Sequence, residues 1–334
     1  MLIDAKYIRH FVKVTERAAY GASLFRGKDD KIAADQAAVD EMRRQLNTIH
    51  MKGKIVIGEG EMDEAPMLYI GEKVGNRSGE DFDIAVDPLE GTNFTAKNLP
   101  NALSVMAITR KGNLLNAPDT YMEKIAVGPG LPKNLIDLDF SVKKNIERLS
   151  EAKKKSPKEI TACVLKRPRH NSIIETLNKM GVKINFISDG DVSGVISVAY
   201  PKSNIDIYLG TGGAPEGVLA ASALKCLGCQ MQTRLVLQND DEIMRAKKIG
   251  IKDSKKKYNI DDMVKGDVIF CATGVTDGDL VKGIKYSNDS FISETLVLHE
   301  SSKTNKIFKN LIKKWIFLQS VEKIGHSKNT TPQM

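Results

Sequence analysis

A chain of 334 residues, 41% of them hydrophobic, can bury one large or two closely joined cores, which excludes a disordered chain. Its net charge of +8 invites a nucleic-acid reading, but seven lysines against one glutamate in residues 301–334 carry most of that charge. Aromatics are only 6%, no nucleic-acid motif appears, and no run approaches the about 18–20 apolar residues of a membrane span. Residues 1–10 lack the basic-then-apolar layout of a signal peptide, so a cytoplasmic protein is expected.

Residues 4–49 read as two helices. Tyr7, Phe11, Val14, Ala18 and Ala19 recur at helical spacing, and Arg26-Gly27-Lys28-Asp29 breaks the pattern before a second helix over 31–49. The β-branched run 54–57 reads as a strand ending in Gly58-Glu59-Gly60-Glu61, where glycine permits a tight turn. Residues 82–86 are another strand, running straight into Asp87-Pro88-Leu89-Glu90-Gly91-Thr92. Residues 102–109 and 124–127 are further strands, and 134–155 a helix followed by lysines. Ser156-Pro157 breaks the chain there, which places a domain boundary.

Beyond it strands (160–165, 184–188, 205–209) alternate with helices (170–180, 192–200 and a third ending near 227), as in layered α/β proteins. Cys226 and Cys229 form a pair without a matching second pair, and Cys163 and Cys271 stand alone; reduced, mostly buried thiols are expected. In 306–324, Ile307, Phe308, Leu311, Ile312, Trp315 and Ile316 fit one face of a basic amphipathic helix. Docking of that helix on the body or on a second subunit is expected, rather than membrane contact.

Acids recur after strands and glycines: Glu59 and Glu61, Asp87 and Glu90, Asp189 and Asp191, and Glu216 after the turn Gly210-Thr211-Gly212-Gly213. Singly, each can be a turn residue, a helix cap or a surface acid. Gathered at the carboxyl ends of strands, where α/β proteins bind ligands, they repel one another unless a hard divalent cation neutralises them. Lys166-Arg167-Pro168-Arg169-His170 opens a helix and offers two guanidinium groups that could clamp a phosphate. Acids for a cation and arginines for phosphate point to metal-assisted phosphoryl chemistry; without a nucleotide motif, hydrolysis by water is the simpler form.

Asp87-Pro-Leu-Glu-Gly-Thr92, preceded by Gly58-Glu-Gly-Glu61, resembles the lithium-sensitive, metal-dependent phosphatase superfamily. With Glu90 as the second acid, it resembles the GlpX-type class II fructose-1,6-bisphosphatases. Lys31-Ile-Ala-Ala-Asp35, Arg167-Pro-Arg-His170, Asp189-Gly-Asp191 and Gly210-Thr-Gly-Gly-Ala-Pro-Glu216-Gly agree, so the resemblance covers residues 5–300. It implies an α-β-α-β-α sandwich that hydrolyses the 1-phosphate of fructose 1,6-bisphosphate in gluconeogenesis, with sedoheptulose 1,7-bisphosphate as the alternative substrate. It implies Mn²⁺ or Mg²⁺ held by Asp35 and Glu59 at one position and by Asp87, Glu90 and Glu216 at a second. Thr92 is implied to orient and deprotonate the attacking water, with Glu61 assisting. Glu90, Gly91, Thr92, Tyr121, Arg167, Arg169, Asp189, Asp191 and Gly213 are implied to meet the substrate. Relatives form dimers or tetramers, so a homodimer or homotetramer is expected, without nucleic acid. The organisation expected is an N-terminal α/β part (1–155) with most metal ligands, a C-terminal α/β part (156–302) with sugar and phosphate contacts, and a basic tail (303–334).

Overall fold

The computed structural model describes residues 2–58 and 67–313. It opens with helices α1 (Tyr7–Ser23) and α2 (Lys31–Leu46). Phe11, Val14, Ala18 and Ala22 are fully buried along α1, one apolar stripe at helical spacing. Gly21 lets α2 approach, because a Cβ there would lie 2.6 Å from the Ala37 carbonyl oxygen. The Asp30 carboxylate caps α2 by accepting the Ala33 N–H.

Strands β1 (Met51–Ile57), β2 (Lys73–Val74) and β3 (Glu80–Glu90) follow, then the short helix α3 (Thr92–Ala96) and β4 (Leu103–Arg110). Next come β5 (Tyr121–Val127), α4 (Val142–Lys153), β6 (Thr161–Leu165), α5 (Asn171–Met180) and β7 (Lys183–Ile187). After α6 (Asp191–Ile196) and β8 (Ile207–Gly213) come α7 (Ala214–Cys226), β9 (Gln230–Val236) and α8 (Asp240–Lys248). The described chain ends with β10 (Lys257–Asn259), α9 (Ile260–Met263), β11 (Val268–Gly274), β12 (Lys285–Tyr286), β13 (Ser290–His299) and β14 (Thr304–Lys313).

Among the described residues these strands build two sheets. One runs β12-β13-β11-β4-β3-β1-β2 with β14 on β13; the other runs β10-β9-β5-β8-β6-β7. Burial on both sheet faces explains the layering. Ile84, Met106 and Ile108 pack against Phe11, Ala38 and Met42 of α1 and α2. Ala85, Val105 and Ala107 face the opposite way, into a core shared with Val195 of α6, Val218 and Leu219 of α7, and Met122 and Ala126 of the second sheet. That sheet buries Ile125, Val164 and Ile207 against Ile146 and Leu149 of α4 and Leu177 of α5. The order is helix, sheet, helix, sheet, helix, the expected layered sandwich.

Several features differ from the sequence-based expectation: Gly210–Gly213 continue β8 instead of turning, and the helix expected over 192–200 ends at Ile196. The helix expected over 134–155 starts only at Val142, because the Ser141 hydroxyl takes the Lys144 N–H as its cap. Residues 155 and 156 lie between α4 and β6, inside the elements of the second layer, whereas β11, β13 and β14 return to the first sheet. The chain thus passes between the two sheets more than once. Residues 304–313 form a strand, not the start of a helix; they pair in full register with β13, from Ser290↔Lys313 to His299↔Thr304. Adjacent apolar residues at 307/308 and 311/312 satisfy both periods, and the free edge of β13 decides between them. Phe308 and Ile312 then pack inward beside the α1 core. The rest of the expected helix lies outside the described residues.

Candidate metal and phosphate site

The site starts from an irregularity in β3. Asp87 and Glu90 are three residues apart, which in a regular strand sends side chains to opposite faces. The register against β4 shifts between them, with Asp87 opposite Val105 and Glu90 opposite Leu103. That bulge also accommodates Pro88. Glu216 comes from the first turn of α7, where its Oε2 accepts the Gly213 N–H at 2.9 Å. One carboxylate oxygen of each of Asp87, Glu90 and Glu216 lies within 4.8 Å of the others, the only such group of three or more among the described residues.

Burial dominates the electrostatics. Burial, followed by the adjacent Asp87, holds the Glu90 carboxyl well above its ordinary range. Glu216 is likewise pushed well up, first by burial, then by Glu90 and Asp191. The Val192 N–H donates to Glu90 Oε1 at 2.9 Å and partly offsets this. Three acids brought together, with Glu90 and Glu216 disfavoured as anions, form an all-oxygen donor set suited to a hard divalent cation.

Around this group the turns are tight. Gly91 precedes α3 at φ 83°, and Thr92 is the first residue of that helix. Gly190 takes φ 76° before Asp191, and a Cβ there would sit 3.3 Å from the Phe94 ring, so the 189–191 turn lies against α3. On the second sheet Tyr121 stands opposite Gly213 and is 44% exposed. The Arg169 guanidinium lies 4.7 Å from the centroid of the Tyr121 ring and donates to the Thr211 carbonyl at 2.7 and 3.0 Å. His170 accepts the Thr211 N–H on Nε2 at 2.8 Å, so its Nδ1 carries the proton donated to the Leu165 carbonyl at 2.7 Å. Burial holds His170 below its ordinary pKa, consistent with this neutral form. Tyr121, Arg169 and Gly213 therefore meet at one end of β8.

The other expected residues are placed less closely. Arg167 is half-buried, with Nη1 donating to the Lys166 carbonyl at 3.1 Å. Asp189 is half-buried at the end of β7. Asp35 is half-buried on α2 and is not in the group of three. Glu59 and Glu61 lie outside the described residues. Asp191 is only 2% exposed, and its oxygens are taken by the Lys124 ammonium and the Tyr208 hydroxyl. Burial alone would raise its pKa, but chiefly Lys124 holds it below the ordinary range.

Lys124 and Tyr208 went unnoticed in the sequence reading. The signal was present: Met122, Lys124 and Ala126 share one face of β5 by alternation, so a lysine is directed into an apolar core. The cysteines match expectation. Cys163 and Cys271 are buried and Cys226 and Cys229 half-buried, all unpaired. Burial pushes the Cys226 and Cys229 thiols up to about 12, far from a reactive thiolate.

Comparison with known proteins agrees with this arrangement. The model of the bacterial, glpX-encoded fructose-1,6-bisphosphatase family matches residues 5–311. The chain belongs to this family. The class 2 fructose-1,6-bisphosphatase of Haemophilus influenzae is 44% identical over 308 residues, covering 88% of this chain and 92% of that protein. Fructose-1,6-bisphosphatase 1 class 2 of Escherichia coli is also 44% identical, covering 88% and 91%. A solved IMPase of Thermotoga maritima overlaps 66% of this chain and 84% of its own at 12% identity and a TM-score of 0.33, too slight a likeness to argue from. The resemblance read from Asp87 to Thr92 and from Gly210 to Glu216 thus identifies the GlpX family correctly. Among the described residues of this family member, no helix is long and apolar enough to cross a membrane.

Proposed function

We propose that the chain hydrolyses the 1-phosphate of fructose 1,6-bisphosphate, giving fructose 6-phosphate and inorganic phosphate, with Mn²⁺ or Mg²⁺ as its cation. The observation that carries this is the carboxylate group Asp87, Glu90 and Glu216, whose oxygens lie within 4.8 Å of one another in a chain of the GlpX family. Such a cation, when bound, supplies a Lewis acid and an acidified water.

The chain's own residues supply binding and orientation. Asp87, Glu90 and Glu216 hold one cation, and Asp35 with Glu59 a second. Arg169 spends part of its donor fork on the Thr211 carbonyl and is steadied by the Tyr121 ring, so its remaining N–H groups offer a preorganised phosphate contact. Arg167 adds a second guanidinium. The Asp189 carboxylate, together with the backbone at Asp191, Gly213, Glu90 and Gly91, borders the sugar. Thr92 orients the attacking water in line with the scissile P–O bond and takes part in its deprotonation, with Glu61 assisting. Residues 1–155 thus supply most ligands and 156–302 most sugar and phosphate contacts. The reaction serves gluconeogenesis in the cytoplasm, carried out by a homodimer or homotetramer without nucleic acid or membrane contact.

Phosphorus NMR of the product tests the regiochemistry. Phosphate retained at C6 is expected; accumulation of fructose 1-phosphate overturns the assignment. Sedoheptulose 1,7-bisphosphate, offered in parallel, reports whether the longer sugar is also accepted.

A further inference from the structure

Among the described residues, Lys124 is the only buried lysine, at 1% exposure. Its ammonium is paired with the Asp191 carboxylate, whose second oxygen accepts from the Tyr208 hydroxyl. The same ammonium lies 3.7 Å from Glu216 Oε2, the oxygen that also accepts the Gly213 N–H. The residue after Asp191 is Val192, whose N–H holds Glu90 Oε1 at 2.9 Å. One cation on β5 therefore reaches an acid of α7 directly and an acid of β3 through the first residues of α6.

The fold reserves space for this cation. Gly210, opposite Lys124 in the β5–β8 register, makes room instead for His170, whose ring a Cβ there would meet at 3.2 Å. A Cβ on Gly212 would collide with the Asp191 carboxylate and lie 3.1 Å from the ammonium. A Cβ on Gly217 would lie 3.2 Å from the Lys124 Cε and 2.6 Å from the Met122 sulfur. Gly212 and Gly217 are thus accounted for by the buried ion pair.

We propose that Lys124 is a positioning residue for the metal ligands, holding Glu216 directly, and Glu90 through Asp191, in the arrangement a cation requires. This rests on the metal reading of Asp87, Glu90 and Glu216. Lys124 is sealed from solvent, so it acts through the carboxylates it holds. The Asp191 and Glu216 side chains already share a hydrogen bond, so without the ammonium that both contact, Glu216 pairs with Asp191 alone and turns away from Asp87 and Glu90. The sign of the effect is diagnostic. A positive charge beside a cation site opposes metal binding, so if charge alone mattered, removing Lys124 would tighten binding. Positioning predicts weaker binding.

The test is Mn²⁺ binding by calorimetry to metal-free, full-length protein without substrate. Lys124→Met, close to lysine in shape, should remain folded by circular dichroism and bind Mn²⁺ about 10- to 100-fold more weakly than wild type. Gly212→Ala keeps every charge but displaces the pair, and should weaken binding in the same direction. Equal or tighter Mn²⁺ binding by folded Lys124→Met overturns the inference. If that variant does not fold, wild-type affinity in Gly212→Ala overturns it instead. A wild-type chain that binds no Mn²⁺ overturns the metal reading itself, and this inference with it.

Discussion

Glu16, buried on α1, and Asp87, half-buried beside Glu90 and Glu216, are acids that lead to different expectations. Glu16, 2% exposed on α1, accepts from Ser293 Oγ at 2.6 Å and Asn310 Nδ2 at 2.7 Å. Burial nevertheless raises its pKa. A raised folded pKa means that the native state holds this proton more tightly than the unfolded chain does. Its contribution to stability is therefore complete below the unfolded value and is lost as pH climbs through the folded one. Glu16→Gln retains an acceptor and stays neutral, so it should melt higher than wild type in mildly alkaline buffer, with no such gain in acid. Thermal melts across pH check this; a variant that melts lower in alkaline buffer contradicts it. Asp87→Asn leaves the shape of the group but removes a ligand charge, and should weaken Mn²⁺ binding at least about tenfold. Wild-type activity at limiting metal would refute the ligand role. At this scale residue type and spacing marked out several acids after strands and glycines, and the family resemblance singled out Asp87, Glu90 and Glu216, which the fold brings together. Lys124 and Tyr208 were not legible, because a single polar residue in a strand shows its purpose only when its partners from α6 and α7 are in place.

Elements turn on a few backbone requirements. Gly91 sits at φ 83°, and a Cβ there would lie 2.8 Å from the Phe94 ring. Gly91→Ala should cost about 1–2 kcal/mol through the left-handed backbone. It should also lower kcat more than it changes KM, because Thr92 is the next residue. Steady-state kinetics read that split, and an unchanged kcat contradicts it. The end of the chain provides a second expectation. Ten residues of β14 pair with β13, Phe308 and Ile312 pack beside the α1 core, and Asn310 reaches Glu16. The family match ends at residue 311. A chain ending at Ser302, without β14, should melt lower than the full chain, and an unchanged melting temperature would contradict this. The helical reading of 306–313 failed because the decisive partner, the edge of β13, is a tertiary feature that local periodicity does not contain. Elements such as β4 and β6 were legible as short, continuous apolar runs of strand length, buried on both faces.

At the scale of the whole molecule, the sandwich brings acids from the first sheet and from the helix layer behind it to one place. Asp87 and Glu90 arrive on β3 of the first sheet, while Glu216 arrives on α7, packed between the layers. Gathering them carries an electrostatic cost, visible in the raised pKa values of Glu90 and Glu216. Those protons must leave before a cation can bind, so the rise in melting temperature that Mn²⁺ produces should grow from mildly acid to mildly alkaline buffer. A stabilisation independent of pH would contradict this. The layered class was legible from alternating strands and helices, but the return of β11, β13 and β14 to the first sheet was not, since nothing local in those strands specifies which sheet they join. The most direct measurement is phosphate release from fructose 1,6-bisphosphate by the purified chain, with Mn²⁺, with Mg²⁺ and with EDTA. The account predicts release with at least one of the two cations and none with EDTA. Undiminished release in EDTA, or no release with either cation, would contradict it.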